Sequence, residues 1–116
     1  SIINVASIAG FKSPMRSVVY SGLKAGVLGI TRAAAADLGA RGIRVNAVAP
    51  GAVPTEGTAK HRNAELDAKR IARTPLGRLG TVQDIADAIC FLAGDGARFI
   101  NAEVLRLDGG ASETSL

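Results

Sequence analysis

A chain of 116 residues with 47% apolar and 21% charged side chains has the size and composition of one globular domain or part of one, and not of a disordered segment. Its formal charge of +4 centres on Lys60, Arg62, Lys69, Arg70, Arg73 and Arg78, offset by Glu65 and Asp67 and without a stacking aromatic, so it describes a solvated helix face; no nucleic-acid partner is expected. One cysteine and one histidine exclude a disulfide framework and a zinc cluster, and no apolar run approaches the roughly 18 residues of a membrane span, so neither metal nor membrane is expected and a cytoplasmic location is.

The opening run Ile2-Ile3-Asn4-Val5 reads as the middle of a buried strand, as expected of a fragment of a longer protein. Ala6-Ser7 end it, and a loop with Gly10, Ser13 and Pro14 follows. From about 17 to 40 the pattern is helical: Val19, Leu23, Val27 and Ile30 recur at three- and four-residue steps, and Gly39 and Gly42 close the segment. A second strand carries Ile43, Val45, Ala47 and Val48 and is cut off at Ala49-Pro50-Gly51. Residues 52–57 read as loop and about 58–72 as a polar helix. Thr81 and Asp84 form a capping box for a helix with Ile85, Ala86, Ile89, Leu92 and Ala93 on one face, ended by Asp95-Gly96. Within it Cys90 reads as a small core residue. A third strand over about 103–107 runs into Asp108-Gly109-Gly110, and the tail after Ala111 is polar.

Strands alternating with helices predict an α/β fold with a parallel sheet and right-handed crossovers. Ligands of such sheets bind beyond the carboxyl ends of the strands. Ser7, Pro50-Gly51 and Asp108-Gly109 occupy those tips, the last reading as a structural turn.

Tyr20 and Lys24 lie four residues apart on one helix face. A phenol on its own titrates near pH 10, too high for useful acid–base work at neutrality. A protonated lysine about 5 Å away stabilises a phenolate by roughly 3 kcal/mol at an effective dielectric of about 20. Tyr20 is therefore a candidate general acid or base for a hydroxyl or carbonyl substrate. Ser7, at a strand tip thirteen residues earlier, can donate to the same substrate oxygen, or serve only as a turn serine. At the next tip Gly51 allows close backbone approach, Val53 offers a backbone N–H and Thr55 a hydroxyl.

Together these pieces resemble the short-chain dehydrogenase/reductase family. Asn4-Val5-Ala6-Ser7 is similar to the family's N-x-x-S strand end, Tyr20-Ser21-Gly22-Leu23-Lys24 to its Y-x-x-x-K signature, and 42–51 to the strand that leads into its P-G loop. The G-x-V-x-T run Gly51 to Thr55 and Leu107-Asp108-Gly109-Gly110 complete the order, so the resemblance covers almost the whole chain.

The resemblance implies a Rossmann-like parallel sheet with flanking helices, here its carboxyl-terminal portion of about three strands and three helices. It implies an NAD- or NADP-dependent oxidoreductase that interconverts an alcohol and a carbonyl by hydride transfer. Tyr20 would be the catalytic acid/base, Ser7 would polarise the substrate oxygen, and Lys24 would assist Tyr20 and bind the nicotinamide ribose. Val53 and Thr55 would hold the carboxamide end of the cofactor, with Pro50 and Gly51 shaping that wall. It also implies homodimers or homotetramers through the 17–40 helix, whose Gly26, Gly29 and 33–36 segment allow close approach, with Ala34 and Ala35 expected at the contact. The family's glycine-rich phosphate loop and N-N-A-G segment do not occur in residues 1–116, which are expected to be the carboxyl-terminal half of one domain, inactive alone. Asn101-Ala102 stands where Thr-Gly is common, and Leu23 where Ser is. The competing reading is a non-catalytic dinucleotide-binding or interaction protein on the same scaffold, which has no use for an intact Ser7, Tyr20 and Lys24.

Overall fold

A computed structural model of the chain describes residues 1–113; the polar tail expected after Ala111 lies outside the described residues from position 114 onward. Three strands, β1 (Ile2–Val5), β2 (Val45–Pro50) and β3 (Val104–Leu107), form one parallel sheet in the order β1-β2-β3. Ile2 pairs with Val45 and Val5 with Val48, while Ala47 pairs with Val104 and Pro50 with Leu107. Helix α1 (Val18–Gly39) crosses from β1 toward β2, and α2 (Ala64–Ala72) and α3 (Val82–Ala93) lie between β2 and β3.

The sheet is covered on both faces, which is why β2 is an almost uninterrupted apolar run. Side chains alternate across a strand, so Ala49 packs with Ala6 and Leu28 on the α1 side, and Val48 with Leu92 and Ala97 on the α3 side. Ile3, Ile85 and Ile89 extend the second cluster. β2 begins and ends two residues later than its sequence pattern suggests. At its start, the Arg44 side chain is drawn away to the carbonyls of Leu92, Ala93 and Gly94 at the end of α3. At its end Pro50 needs no N–H, because the Gly51 N–H takes the Leu107 carbonyl at 3.0 Å.

Four further expectations are corrected. β1 is not buried: it is an edge strand among the described residues, with Ile2 and Val5 42% and 51% exposed. The polar helix expected over 58–72 is two pieces, a 3₁₀ segment Glu56–His61 and α2, because the Asn63 side chain accepts the Leu66 N–H at 2.7 Å and starts a new helix. Cys90 is exposed, since α3 turns Ile85, Ala88, Ile89 and Leu92 to the sheet. In α1 the apolar period is only in part the buried face: Val27 packs against the Ala6, Leu28 and Ala49 cluster, but Val19, Leu23 and Ile30 are exposed, and Ser21, Leu28, Thr31 and Ala35 are the buried residues. Ala35 therefore belongs to the core and not to an outer contact.

The Asn101-Ala102 pair has a local role. Asn101 accepts the Val45 N–H at 2.9 Å and donates to the Ala35 carbonyl at 3.2 Å, joining β2 to α1. Ala102 has φ +63°, a left-handed conformation that suits glycine and explains why glycine is at home there.

Candidate active site

The tips of β1 and β2 and the first turns of α1 bound a cavity of about 530 Å³. Ser7, Tyr20, Lys24, Pro50, Gly51, Val53 and Thr55 all line it. Three separate stretches of sequence thus meet in one place because both strands point their carboxyl ends the same way and α1 starts beside them.

Ser7 sits extended at φ −167° and caps the 3₁₀ turn Ile8–Gly10, its Oγ accepting the Ala9 N–H at 3.1 Å. The turn role and the functional role are compatible, because capping uses a lone pair and leaves the hydroxyl proton available to donate. Gly10 lets this turn lie on α1: a Cβ there would stand 3.0 Å from the backbone carbonyl of Lys24. Tyr20 is half exposed toward the cavity. The Lys24 ammonium lies 5.8 Å from the centroid of the Tyr20 ring and donates to the Val5 carbonyl at 2.9 Å. Val5 O is a site partner that no side-chain pattern could reveal, since any residue supplies a carbonyl.

The opposite wall follows β2. Gly51 is obligatory, for a Cβ would come within 2.7 Å of the Asp108 Cβ and 2.9 Å of its Cα. The Thr55 N–H donates to Thr58 Oγ1 at 2.9 Å, and the two hydroxyls lie 3.3 Å apart. Thr58, which also lines the cavity, was not legible as a site residue. Val82, Ile85 and Ile89 of α3 complete an apolar side. The periodicity of Ile85 and Ile89 marks them as core, and only the tertiary arrangement brings them, with the exposed Val82, to the cavity rim.

Asp108-Gly109-Gly110 does not join this cavity. It borders another of about 580 Å³ at the β3 tip, where the polar groups already satisfy one another. Asp108 accepts the Gly110 N–H at 2.9 Å and the Ser112 N–H at 2.8 Å. Burial pushes its carboxyl up, but Ser112, Gly110 and the Arg106 charge outweigh this and hold it below the usual carboxylate range. Arg78 grips Asp84 with contacts of 2.7 and 2.9 Å, and the Thr81 N–H adds a third at 2.7 Å. Arg78, then Thr81, hold the Asp84 carboxyl far below its ordinary value. The basic stretch is likewise paired: Arg62 and Arg70 contact Asp67 at 2.5 and 3.5 Å, and Lys69 contacts Glu65 at 2.6 Å.

The family described as enoyl-(acyl carrier protein) reductase matches residues 1–112. A 3-oxoacyl-[acyl-carrier-protein] reductase of Chlamydia trachomatis is 40% identical over 110 residues, covering 95% of this chain and 44% of the relative. A cis-4-hydroxycyclohexanecarboxylate dehydrogenase of Sinomonas cyclohexanicum is 46% identical over the same length and coverage. Among solved structures, a 4-hydroxyisoleucine dehydrogenase complexed with NADH superposes with a TM-score of 0.93 at 32% identity, covering 98% of this chain and 47% of that one. A provisionally named NAD(P)-dependent gluconate 5-dehydrogenase of Beutenbergia cavernae, with NADP bound at low occupancy, gives 0.93 at 38% identity over 97% and 46%. The chain spans less than half the length of the curated relatives it matches.

Proposed function

This chain belongs to the short-chain dehydrogenase/reductase family, and from that membership we propose that it carries the acid–base half of an NAD- or NADP-dependent oxidoreductase acting on an alcohol or carbonyl. The observation that carries the proposal is the convergence of Ser7, Tyr20, Lys24, Pro50, Gly51, Val53 and Thr55 on one cavity. The donor set suits a nicotinamide. The Val53 N–H has no protein acceptor among the described residues, Thr55 and Thr58 add hydroxyls, and Lys24 keeps N–H groups beyond the one given to Val5. Pro50, Ile85 and Ile89 offer an apolar wall for a flat ring. A bound nicotinamide supplies the hydride chemistry that no side chain can.

The chain's own residues then have defined tasks. Tyr20 gives a proton to the substrate oxygen, or takes one from it, and Ser7 donates its free hydroxyl hydrogen to that same oxygen. Lys24, fixed by Val5 O, sets a positive charge beside Tyr20 that stabilises negative charge on the phenolic oxygen as the proton leaves. Val53, Thr55 and Lys24 bind and orient the cofactor, with Pro50 and Gly51 forming its wall.

On this reading residues 1–116 are the carboxyl-terminal half of one Rossmann-like domain, supported by the open edge of β1 and the coverage of the relatives. By themselves they carry the acid–base set without a pyrophosphate loop and are inactive. In the full-length protein, Tyr20→Phe lowers turnover of reducible carbonyls with NADH or NADPH by about 10²–10⁴-fold, with cofactor affinity nearly unchanged. A wild-type rate in that variant overturns the proposal. The outward stripe Val19, Leu23 and Ile30, with Gly26 open beside it, is the face on which α1 pairs with a second subunit. Ile30→Arg should shift light-scattering mass toward the monomer, and an unchanged mass refutes that pairing.

A further inference from the structure

We propose that Asn4 and Thr31 are positioning residues for the acid–base set, an inference that rests on the functional reading above. Asn4 Nδ2 donates to Thr31 Oγ1 at 3.0 Å, and Thr31 Oγ1 donates to the Val27 carbonyl at 2.7 Å. The second bond consumes the only hydroxyl proton, so Thr31 can serve Asn4 only as an acceptor and the amide orientation follows. Thr31 is fully buried, and Asn4 faces α1 because Ile3, its neighbour, packs on the α3 side.

The place of this bond gives it its effect. β1 runs up to Ser7, three residues past Asn4, or about 10 Å along a strand. α1 runs down from Tyr20, and Thr31 lies eleven residues on, or about 16 Å along the axis. Steps of four and seven residues put Tyr20, Lys24 and Thr31 within about 40° of one another around the helix. Ser7 and Tyr20 are therefore the free ends of two arms joined at Asn4–Thr31. Toward the open end they are braced by the packing of Leu28 on Ala6 and Ala49, the Lys24–Val5 bond and the close seat of Gly10 on Lys24. A tilt of about 5° at the joint moves Tyr20 by roughly 1.4 Å, and an error of about 1 Å in a reacting geometry can cost about 100-fold in rate.

The test uses the full-length protein with NADH or NADPH and whichever carbonyl of a panel the wild type reduces fastest. Thr31→Val keeps the shape and removes the acceptor; Asn4→Ala removes the donor; Thr31→Ser keeps the bond. Per folded molecule, Thr31→Val and Asn4→Ala should each lower kcat about 10–100-fold with substrate KM within a few-fold, and the double variant should lose no more than either alone. Thr31→Ser should retain at least a third of the wild-type kcat. Amide hydrogen exchange, which needs no turnover, should rise over 18–24 in Thr31→Val and not in Thr31→Ser. If Thr31→Val does not fold, Asn4→Ala carries the same comparison, because the Thr31–Val27 bond survives in it. Wild-type kcat per folded molecule in Asn4→Ala, additive losses in the double variant, or equal losses in Thr31→Ser and Thr31→Val each overturn the inference. Tyr20→Phe is run alongside: full activity there defeats the functional reading itself, whereas a dead Tyr20→Phe beside an unimpaired Asn4→Ala defeats only the positioning role.

Discussion

Ala102→Gly should stabilise the protein although it deletes a side chain. Ala102 holds φ +63°, and the left-handed region costs an L-residue with a Cβ roughly 1–2 kcal/mol. Glycine occupies it freely but brings a more flexible unfolded chain, a penalty of about 0.4–1 kcal/mol. Little else changes. Ala102 is exposed, so no buried methyl is lost, and its N–H keeps the Val45 carbonyl at 2.9 Å. The balance is a gain of about 0.5–1 kcal/mol. With a urea m-value of about 2 kcal/mol/M, the unfolding midpoint of the full-length protein should rise by about 0.3–0.5 M at constant m. The adjacent Asn101, which ties Val45 to Ala35, keeps its own bonds in the variant, so β2 and α1 are not disturbed. A midpoint that is unchanged or lower at constant m refutes the strain at this position.

Two further outcomes are expected. Gly51→Ala should do the opposite, because a Cβ at 2.7 and 2.9 Å from Asp108 atoms is about 1 Å inside normal carbon contact, and overpacking of this kind costs about 1–3 kcal/mol. Denaturant unfolding measures it, and wild-type stability would show that the β2 and β3 tips part without resistance. Asp67, Asp84 and Asp108 are all held below the usual carboxylate range, by Arg62, by Arg78, and by Ser112 and Gly110 against burial. Each favours the folded state while ionised, so the contribution is complete above about pH 4 and drains as pH falls through the folded-state titrations. Thermal melts should therefore lose stability below about pH 4, and Asp84→Asn should flatten part of that loss; an equally steep acid limb in the variant rules out the Arg78–Asp84 contribution.

The strand tips were legible because a parallel sheet needs little more than alternation. Val45, Ala47 and Val48 announce a strand buried on both faces, and Thr81 with Asp84 announces the start of α3. Once β1 and β2 are parallel, Ser7 and Pro50-Gly51 must emerge at the same edge, and a helix that follows Ser7 must begin there too. What local pattern could not convey was which way α1 turns. Of the apolar period Val19, Leu23, Val27 and Ile30 only Val27 packs against the core, while the buried residues are Ser21, Leu28, Thr31 and Ala35. Hydropathy cannot distinguish a face buried in the sheet from an outward apolar one, and here the inward face is partly polar.

That polarity is tied to the site. Thr31 and Asn4 are poor choices for a core on transfer energy alone; the Thr31 hydroxyl is satisfied by the Val27 carbonyl, and it in turn accepts the Asn4 amide. Apolar residues at both positions would bury as well, but they would specify neither the rotation of α1 nor its height against β1 to better than the slack of side-chain packing. A hydrogen bond at 3.0 Å does specify both. The same logic separates Asn101 from the residue usual at its place: its amide fixes β2 and α1 at once. The two asparagines therefore hold α1 at points four residues apart, Thr31 and Ala35, both well below the cavity. Above them the packing of Leu28 on Ala6, the Val5 carbonyl on Lys24 and the Gly10 seat brace the turns that carry Tyr20, so on the proposed reading polar contacts at the far end of the helix act together with apolar packing in setting the positions of Tyr20 and Lys24.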